Sequence, residues 1–235
     1  MTTQPRTAVL VPAAGRGERL GPGAPKALRQ LGGVPMLVHA VRALAQSRAV
    51  DLVVVAAPPG DVDEVAALVS PHGDSADVMV VAGGDTRQGS VARALIALPD
   101  DVDVVLVHDA ARPLVPSELV TAVVAAVRSG HDAVVPGLTV VDTIKRINAH
   151  DDVEQTVDRT VLRAIQTPQG FTRSVLQRAH AAADDDVTDD AGLVERIGVT
   201  VHVIPGHEDA LKVTRPFDVL VAEAILARRR AAGAV

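Results

Sequence analysis

Five short runs in which valine, isoleucine, leucine and alanine follow one another without alternation constrain the fold of this chain more than any other feature. TAVLV (7–11), DLVVVAA (51–57), DVMVVA (77–82), DVVLV (103–107) and DAVVP (132–136) are apolar at successive positions. A strand with one face in water alternates polar and apolar residues, whereas a strand covered on both faces has no reason to. Between the runs lie the Ala- and Leu-rich stretches 35–47, 61–70, 90–98 and 116–129, with Pro35 and Pro116 where proline opens helices. The order βαβαβαβαβ predicts an α/β protein, with a Rossmann-like, mostly parallel sheet and helices on both faces.

After Pro136 that rhythm stops. The stretch GLTVVDTIKRINAHDDVEQTVDRTVL is polar and β-branched, with turn residues at NAHDD (148–152) and no apolar stripe wide enough for a core helix. It predicts a protruding β-arm over about residues 137–160, a hairpin that is marginal alone and needs a partner surface. The core pattern then resumes. RAIQTPQGF (163–171) reads as strand and loop, 173–183 and 188–198 as helices, 199–206 as a strand, and a last helix follows Thr214-Arg215-Pro216. The whole of 1–235 is expected to form a single domain with the arm as its one excursion.

Composition narrows the chemistry. With 235 residues, 48% hydrophobic and 22% charged, the chain can bury a substantial core, but its only aromatic residues are Phe171 and Phe217. Single-stranded nucleic acid bound on stacking platforms is therefore not expected. A formal net charge of −6 argues equally against a general attraction to nucleic acid or anionic membrane, so an anionic ligand must be caught by a local basic cluster. Without cysteine there is no disulfide, thiolate zinc site or thiol nucleophile. The polar start MTTQPRT and the lack of an apolar run of ~18 residues lead to an expectation of a cytoplasmic protein.

Three stretches carry the candidate chemistry. LVPAAGRGERLGPGAPKAL (10–28) runs from a strand into a glycine-rich loop, the arrangement in which backbone N–H groups approach phosphate oxygens. It lacks the third glycine of the dinucleotide fingerprint and the GK[ST] of a P-loop, yet Arg16, Arg19 and Lys26 suit a polyphosphate. Lys26 is one of only three lysines, with Lys145 and Lys212. LVHDAARP (106–113) ends the fourth strand, where open α/β sheets bind ligands, so Asp109 is placed to hold a divalent cation against phosphate oxygens. GGDTRQGSV (83–91) is a second glycine turn, read either as a helix start capped by Asp85 or Ser90 or as a site for base and ribose. The acidic run DDDVTDDAG (184–192) is read as a helix start capped by Thr188 rather than a metal cluster.

Taken in order, PAAGRGERLGPGAPKAL, GGDTRQGSV, VHDAARP, DTIKR, TVDRTVL, QTPQGF, TDDAG and LKVTRP resemble the 2-C-methyl-D-erythritol 4-phosphate cytidylyltransferases of the non-mevalonate isoprenoid pathway, over residues 8–218. The resemblance implies that Pro12, Ala13, Ala14, Gly15, Arg16 and Gly17 wrap the triphosphate of CTP. Arg19, Lys26 and Lys212 would be the catalytic cations. Gly84, Asp85, Ser90 and Ala110 would hold cytosine and ribose, and Asp109 would bind Mg2+. Arg112, Thr167, Thr188 and Asp209 would serve the acceptor, together with Thr143 and Arg159 from the arm of a neighbouring subunit in a homodimer.

The implied reaction is attack of a phosphate monoester on the α-phosphorus of CTP. Two other readings remain at this stage: a cytidylyltransferase for ribitol 5-phosphate or another sugar phosphate, and a nucleotide-binding regulatory protein without turnover. The arm residues separate the first from the main reading. Pyrophosphate release separates the second.

Overall fold

The computed structural model describes residues 6–15, 25–73, 75–183 and 187–233. Its centre is a sheet of β1 (Arg6–Pro12), β4 (Leu52–Ala57), β5 (Asp77–Ala82), β6 (Val102–Val107), β7 (Ala133–Thr139), β10 (Arg163–Ile165), β11 (Gln169–Thr172) and β12 (His202–Pro205). The order is β10-β7-β11-β6-β1-β4-β5, with β12 also paired to β7. β1, β4, β5 and β6 pair in parallel, as do β7 and β12, while β10 and β11 run antiparallel to their neighbours. A short pair, β2 (Gln30–Leu31) and β3 (Val34–Pro35), lies outside this sheet.

The helices are α1 (Met36–Ala45), α2 (Val62–Val69), α3 (Arg87–Ile96), α4 (Ser117–Arg128), α5 (Arg173–Ala181), α6 (Asp190–Arg196) and α7 (Pro216–Ala231). Alternate residues of each continuous apolar strand face different layers. Val9, Val11, Val53 and Val55 pack with α1, α2 and α4, while Ala8, Leu10, Val54 and Ala56 pack with α3, α5 and α6. This two-sided burial is the physical content of the unbroken apolar runs. A third cluster of Leu31, Met36, Leu114, Val213, Ala222 and Leu226 seats α7. Phe171 lies wholly inside, and Gly170 beside it is forced, because a Cβ there would come within 2.5 Å of Val123. No helix among the described residues is long and apolar enough to cross a membrane.

The arm differs from its sequence reading at its base. β7 continues to Thr139, and β10 pairs with its last residues (Ile165 with Gly137, Arg163 with Thr139), so the first part of the 137–160 stretch belongs to the central sheet. Beyond it, β8 (Ile144–Ile147) and β9 (Val153–Val157) form a separate antiparallel pair. Its turn falls at NAHDD: Asn148 Oδ1 accepts from the N–H groups of His150 (2.9 Å) and Asp152 (3.0 Å), and Asp151 adopts φ +64°. Asn and Asp suit such a turn because their short side chains replace backbone partners and tolerate the left-handed region.

Two helix starts also differ. α3 is capped by Thr86, whose Oγ1 accepts from Gly89 N–H at 3.0 Å, and not by Asp85 or Ser90. α6 is capped by Asp189, not Thr188: Asp189 Oδ1 accepts from Gly192 N–H at 3.1 Å. The reason lies across the fold. Gln169 of β11 donates to Asp189 Oδ2 at 2.7 Å and accepts from Ala191 N–H at 3.1 Å, which fixes the helix start one residue later.

Candidate active site

The carboxyl ends of β1, β5 and β6 open into one cleft, as a parallel sheet requires of its ligand site. From the loop after β1 come Pro12, Ala13, Ala14 and Gly15, followed by Lys26 and Ala27. The β5–α3 loop contributes Gly84, Asp85, Thr86, Arg87 and Ser90, and the end of β6 contributes Asp109, Ala110 and Ala111, with Lys212 closing the far side. Eleven positions singled out in the sequence thus line one cavity: Pro12, Ala13, Ala14, Gly15, Lys26, Gly84, Asp85, Ser90, Asp109, Ala110 and Lys212. Arg16, Gly17 and Arg19 lie outside the described residues.

Local packing explains the shape of the second glycine turn. A Cβ on Gly84 would sit 2.8 Å from Gly89 C, and one on Gly83 would sit 3.0 Å from Ala57 O. Ser90 is buried, its Oγ accepting from Gly84 N–H at 3.1 Å and donating to Thr86 O at 2.9 Å. Arg93 ties down the same loop through Gly83 O at 2.5 Å. The turn is therefore held in shape from inside, and Asp85 is left exposed at its rim.

Asp109 is the electrostatic centre. Lys212 Nζ lies 2.7 Å from its Oδ2 and Arg87 Nε 3.1 Å from its Oδ1. Burial opposes its charge, but Arg87 and Lys212 outweigh that and hold the carboxyl well below the usual carboxylate range. Its backbone N–H donates to Thr167 Oγ1 at 3.1 Å. That hydroxyl also meets His108 Nδ1 at 3.2 Å, and His108 Nε2 meets Arg112 O at 3.1 Å. His108 is wholly buried, which pushes its imidazole down to about 4 and keeps it neutral. Arg112 is buried too, donating to Ala210 O at 2.6 Å and Ile165 O at 3.2 Å. Arg112 and Thr167 thus brace the floor from behind and do not line the cleft.

The remaining expected residues stand apart from it. Asp209 is buried and gripped by Arg228 (2.6 Å) and Arg229 (2.8 Å) of α7, an ion-paired anchor for the loop that carries Lys212. Thr188 is exposed just ahead of α6. Thr143 and Arg159 sit on the arm, where Arg159 donates to Val141 O and Thr143 is exposed.

Sequence reasoning missed Arg87. It also bridges to Asp190 Oδ2 at 2.7 Å, and His180 Nε2 holds the other oxygen of Asp190 at 3.0 Å. A signal was available: Arg87 is the first residue of α3, and a cation at a helix N-terminus opposes the dipole unless carboxylates meet it.

Comparison with known proteins agrees with this geometry. The profile of the 2-C-methyl-D-erythritol 4-phosphate cytidylyltransferase family matches residues 7–228. Proteins of that name from Streptomyces coelicolor and Frankia casuarinae are similar at 58% identity over 233 residues (96% of this chain, 86% of the relative) and 60% over 224 residues (95% and 82%). The crystal structure of 2-C-methyl-D-erythritol 4-phosphate cytidylyltransferase from Thermus thermophilus superposes with a TM-score of 0.76 at 37% identity, covering 95% of this chain and 99% of that one. A 4-diphosphocytidyl-2C-methyl-D-erythritol synthase from Anaerococcus prevotii superposes with a TM-score of 0.82 at 27% identity, with the same coverage. The chain belongs to the 2-C-methyl-D-erythritol 4-phosphate cytidylyltransferase family of nucleotidyltransferases.

Proposed function

We propose that this cleft transfers CMP from CTP to 2-C-methyl-D-erythritol 4-phosphate, releasing pyrophosphate and 4-diphosphocytidyl-2-C-methyl-D-erythritol. The observation that carries the reading is the convergence of Lys26, Arg87 and Lys212 on one cleft, between residues 12–15 and the Gly84 turn and around an ionised Asp109. The attacking group is a phosphate monoester with a second pKa of about 6, already mostly dianionic at neutral pH. No general base is needed, and the neutral, enclosed His108 is not offered as one.

The obstacle is charge. Roughly four negative charges on CTP meet about two on the acceptor, and their repulsion grows as water is excluded. Lys26 and Lys212, which both line the cleft, oppose it. Catalysis on this reading is positioning plus electrostatic stabilisation of an in-line displacement.

Mg2+ fits the donor set. Among the described residues no group of three or more His, Cys, Asp or Glu is placed to hold a metal. One ionised carboxylate completed by substrate phosphate oxygens is how Mg2+ is commonly bound, and Asp109 is that carboxylate. When bound, the ion would neutralise charge on the triphosphate. Lys212, now on Asp109, would then be released toward phosphate.

The arm suits a homodimer. Val141, Ile147, Val153 and Val161 on it are exposed, and Ile165 at its base is partly so. A two-stranded hairpin with apolar residues in water gains from a partner surface. Thr143 and Arg159 are in our reading donated to the acceptor pocket of the second subunit.

The test is pyrophosphate release with CTP, Mg2+ and either methylerythritol 4-phosphate or ribitol 5-phosphate, with the other three nucleoside triphosphates as controls. A strong preference for CTP with methylerythritol phosphate is expected. Turnover of ribitol phosphate instead would remove the acceptor assignment and the role given to the arm, and no turnover with any pair would leave a nucleotide-binding protein.

A further inference from the structure

One guanidinium joins two walls of the cleft. Arg87, the first residue of α3, places Nε on Asp109 at the end of β6 and an Nη on Asp190, the first residue of α6. Asp190 is almost wholly buried (side chain 1% exposed), and its second oxygen is taken by His180 of α5. A buried carboxylate with both oxygens bound has little freedom, and Arg87, bound to it, is held in turn. Asp109 is thus gripped on Oδ1 by a rigid partner, while among the described residues the ion-pair partner of Oδ2 is Lys212, whose side chain is 42% exposed. The two oxygens are unequal: one is fixed, the other is exchangeable.

We propose that Arg87, locked by Asp190 and His180, is the positioning residue for Asp109, fixing the rotamer in which Oδ2 is presented to the metal–nucleotide complex as Lys212 leaves it. The proposal rests on the reading of Asp109 as the metal-binding carboxylate. It accounts for a cation at a helix N-terminus, which is otherwise unfavourable. It accounts also for arginine rather than lysine, since a single ammonium does not span carboxylates of two different elements in fixed geometry. And it gives the acidic start of α6 a role beyond capping: Asp190 is the anchor at the back of the site.

The test uses the full chain in three forms: unaltered, Arg87→Lys and Asp190→Asn. Lysine keeps the charge but not the fork, and asparagine keeps the shape but not the charge. Binding of CTP is measured by calorimetry without acceptor, once with Mn2+ and once with EDTA, beside thermal unfolding and steady-state kinetics. For Arg87→Lys the expected result is metal-supported CTP binding and kcat lowered by about 10- to 100-fold, with metal-free CTP binding and the acceptor KM changed by less than about threefold. Asp190→Asn should move the same quantities in the same direction. The idea is overturned if Arg87→Lys binds CTP with Mn2+ as the parent does, or if the loss is as large in EDTA, which would make Arg87 a direct nucleotide contact. Should Arg87→Lys fail to fold, Asp190→Asn decides: a loss confined to the metal-supported increment upholds the positioning role, and unchanged binding removes it. Because these titrations contain no acceptor, they stand whether or not methylerythritol phosphate proves to be the second substrate.

Discussion

Lys26 and Lys212 were conspicuous in the sequence because lysine is so scarce, and both face the cleft. If each cation stabilises charge that develops in the transition state, Lys26→Ala should lower kcat ~100- to 1000-fold, the effect of losing one preorganised donor. Pyrophosphate release at saturating CTP measures it, and a kcat within a few-fold of the parent would remove Lys26 from the catalytic set. The residues that sequence reading picked are those whose chemistry is local: a glycine that must lack a Cβ, or a carboxylate at a strand end. Arg87 escaped because its meaning depends on Asp190, 103 positions away, and on Asp109 across the cleft. Asp209, to which the resemblance gives an acceptor role, has a second one that no local pattern announces: Arg228 and Arg229, which pair with it, come from the following helix.

At the level of elements, the parallel core was legible because an unbroken apolar run has few uses other than a strand covered on both faces. Of the antiparallel pieces, the arm hairpin was legible from its turn residues, whereas 163–171 read only as strand and loop, without its division into two strands or their direction. β10 and β11 are three and four residues long, and what makes them strands is pairing with β7 and β6, which no local pattern announces. The start of α6 is a sharper case, since a threonine followed by two aspartates offers two caps of similar intrinsic quality, and Gln169 selects the second. The two functions of this segment are therefore separable. Asp189→Ala should cost about 1 kcal/mol of stability through the lost cap, whereas Thr188→Ala should leave the unfolding midpoint unchanged and, if Thr188 serves the acceptor, raise only the acceptor KM. Chemical denaturation and steady-state kinetics on the two variants check this, and equal destabilisation by both would return the cap to Thr188.

For the molecule as a whole, the buried charges set an acid limit and the arm sets an assembly. His108 refuses a proton in the folded chain until about pH 4, while the unfolded chain accepts one near the ordinary value of 6.5. Between those values the unfolded state binds more protons, so stability falls as pH falls, by up to roughly 1.4 kcal/mol per pH unit from this group. The depressed Asp109 and Asp190 add their losses only lower, below the ordinary carboxylate value of 3.8. Buried His39, also held below its ordinary value by desolvation, acts in the same direction. Denaturant unfolding between pH 7.5 and 4.5 should therefore show the first decline beginning near pH 6.5, and a flat profile down to pH 5 would mean that both histidines accept a proton in the native state. The arm makes a different demand. On the proposed reading Lys26 acts in its own subunit and Arg159 in its partner's, so no mutant homodimer of either Lys26→Ala or Arg159→Ala has a complete site. A mixed dimer has one: the Arg159→Ala subunit supplies Lys26, and the Lys26→Ala subunit supplies Arg159. Random reassembly of equal amounts makes about half the dimers mixed, each with one of two sites intact, so activity should recover to about a quarter of the parent. Differently tagged subunits, co-purified to prove exchange, make the measurement decisive. Recovery near that fraction requires a site built across the two-fold interface, whereas a mixture no more active than the average of its parents would place Arg159 in the site of its own subunit or outside any site.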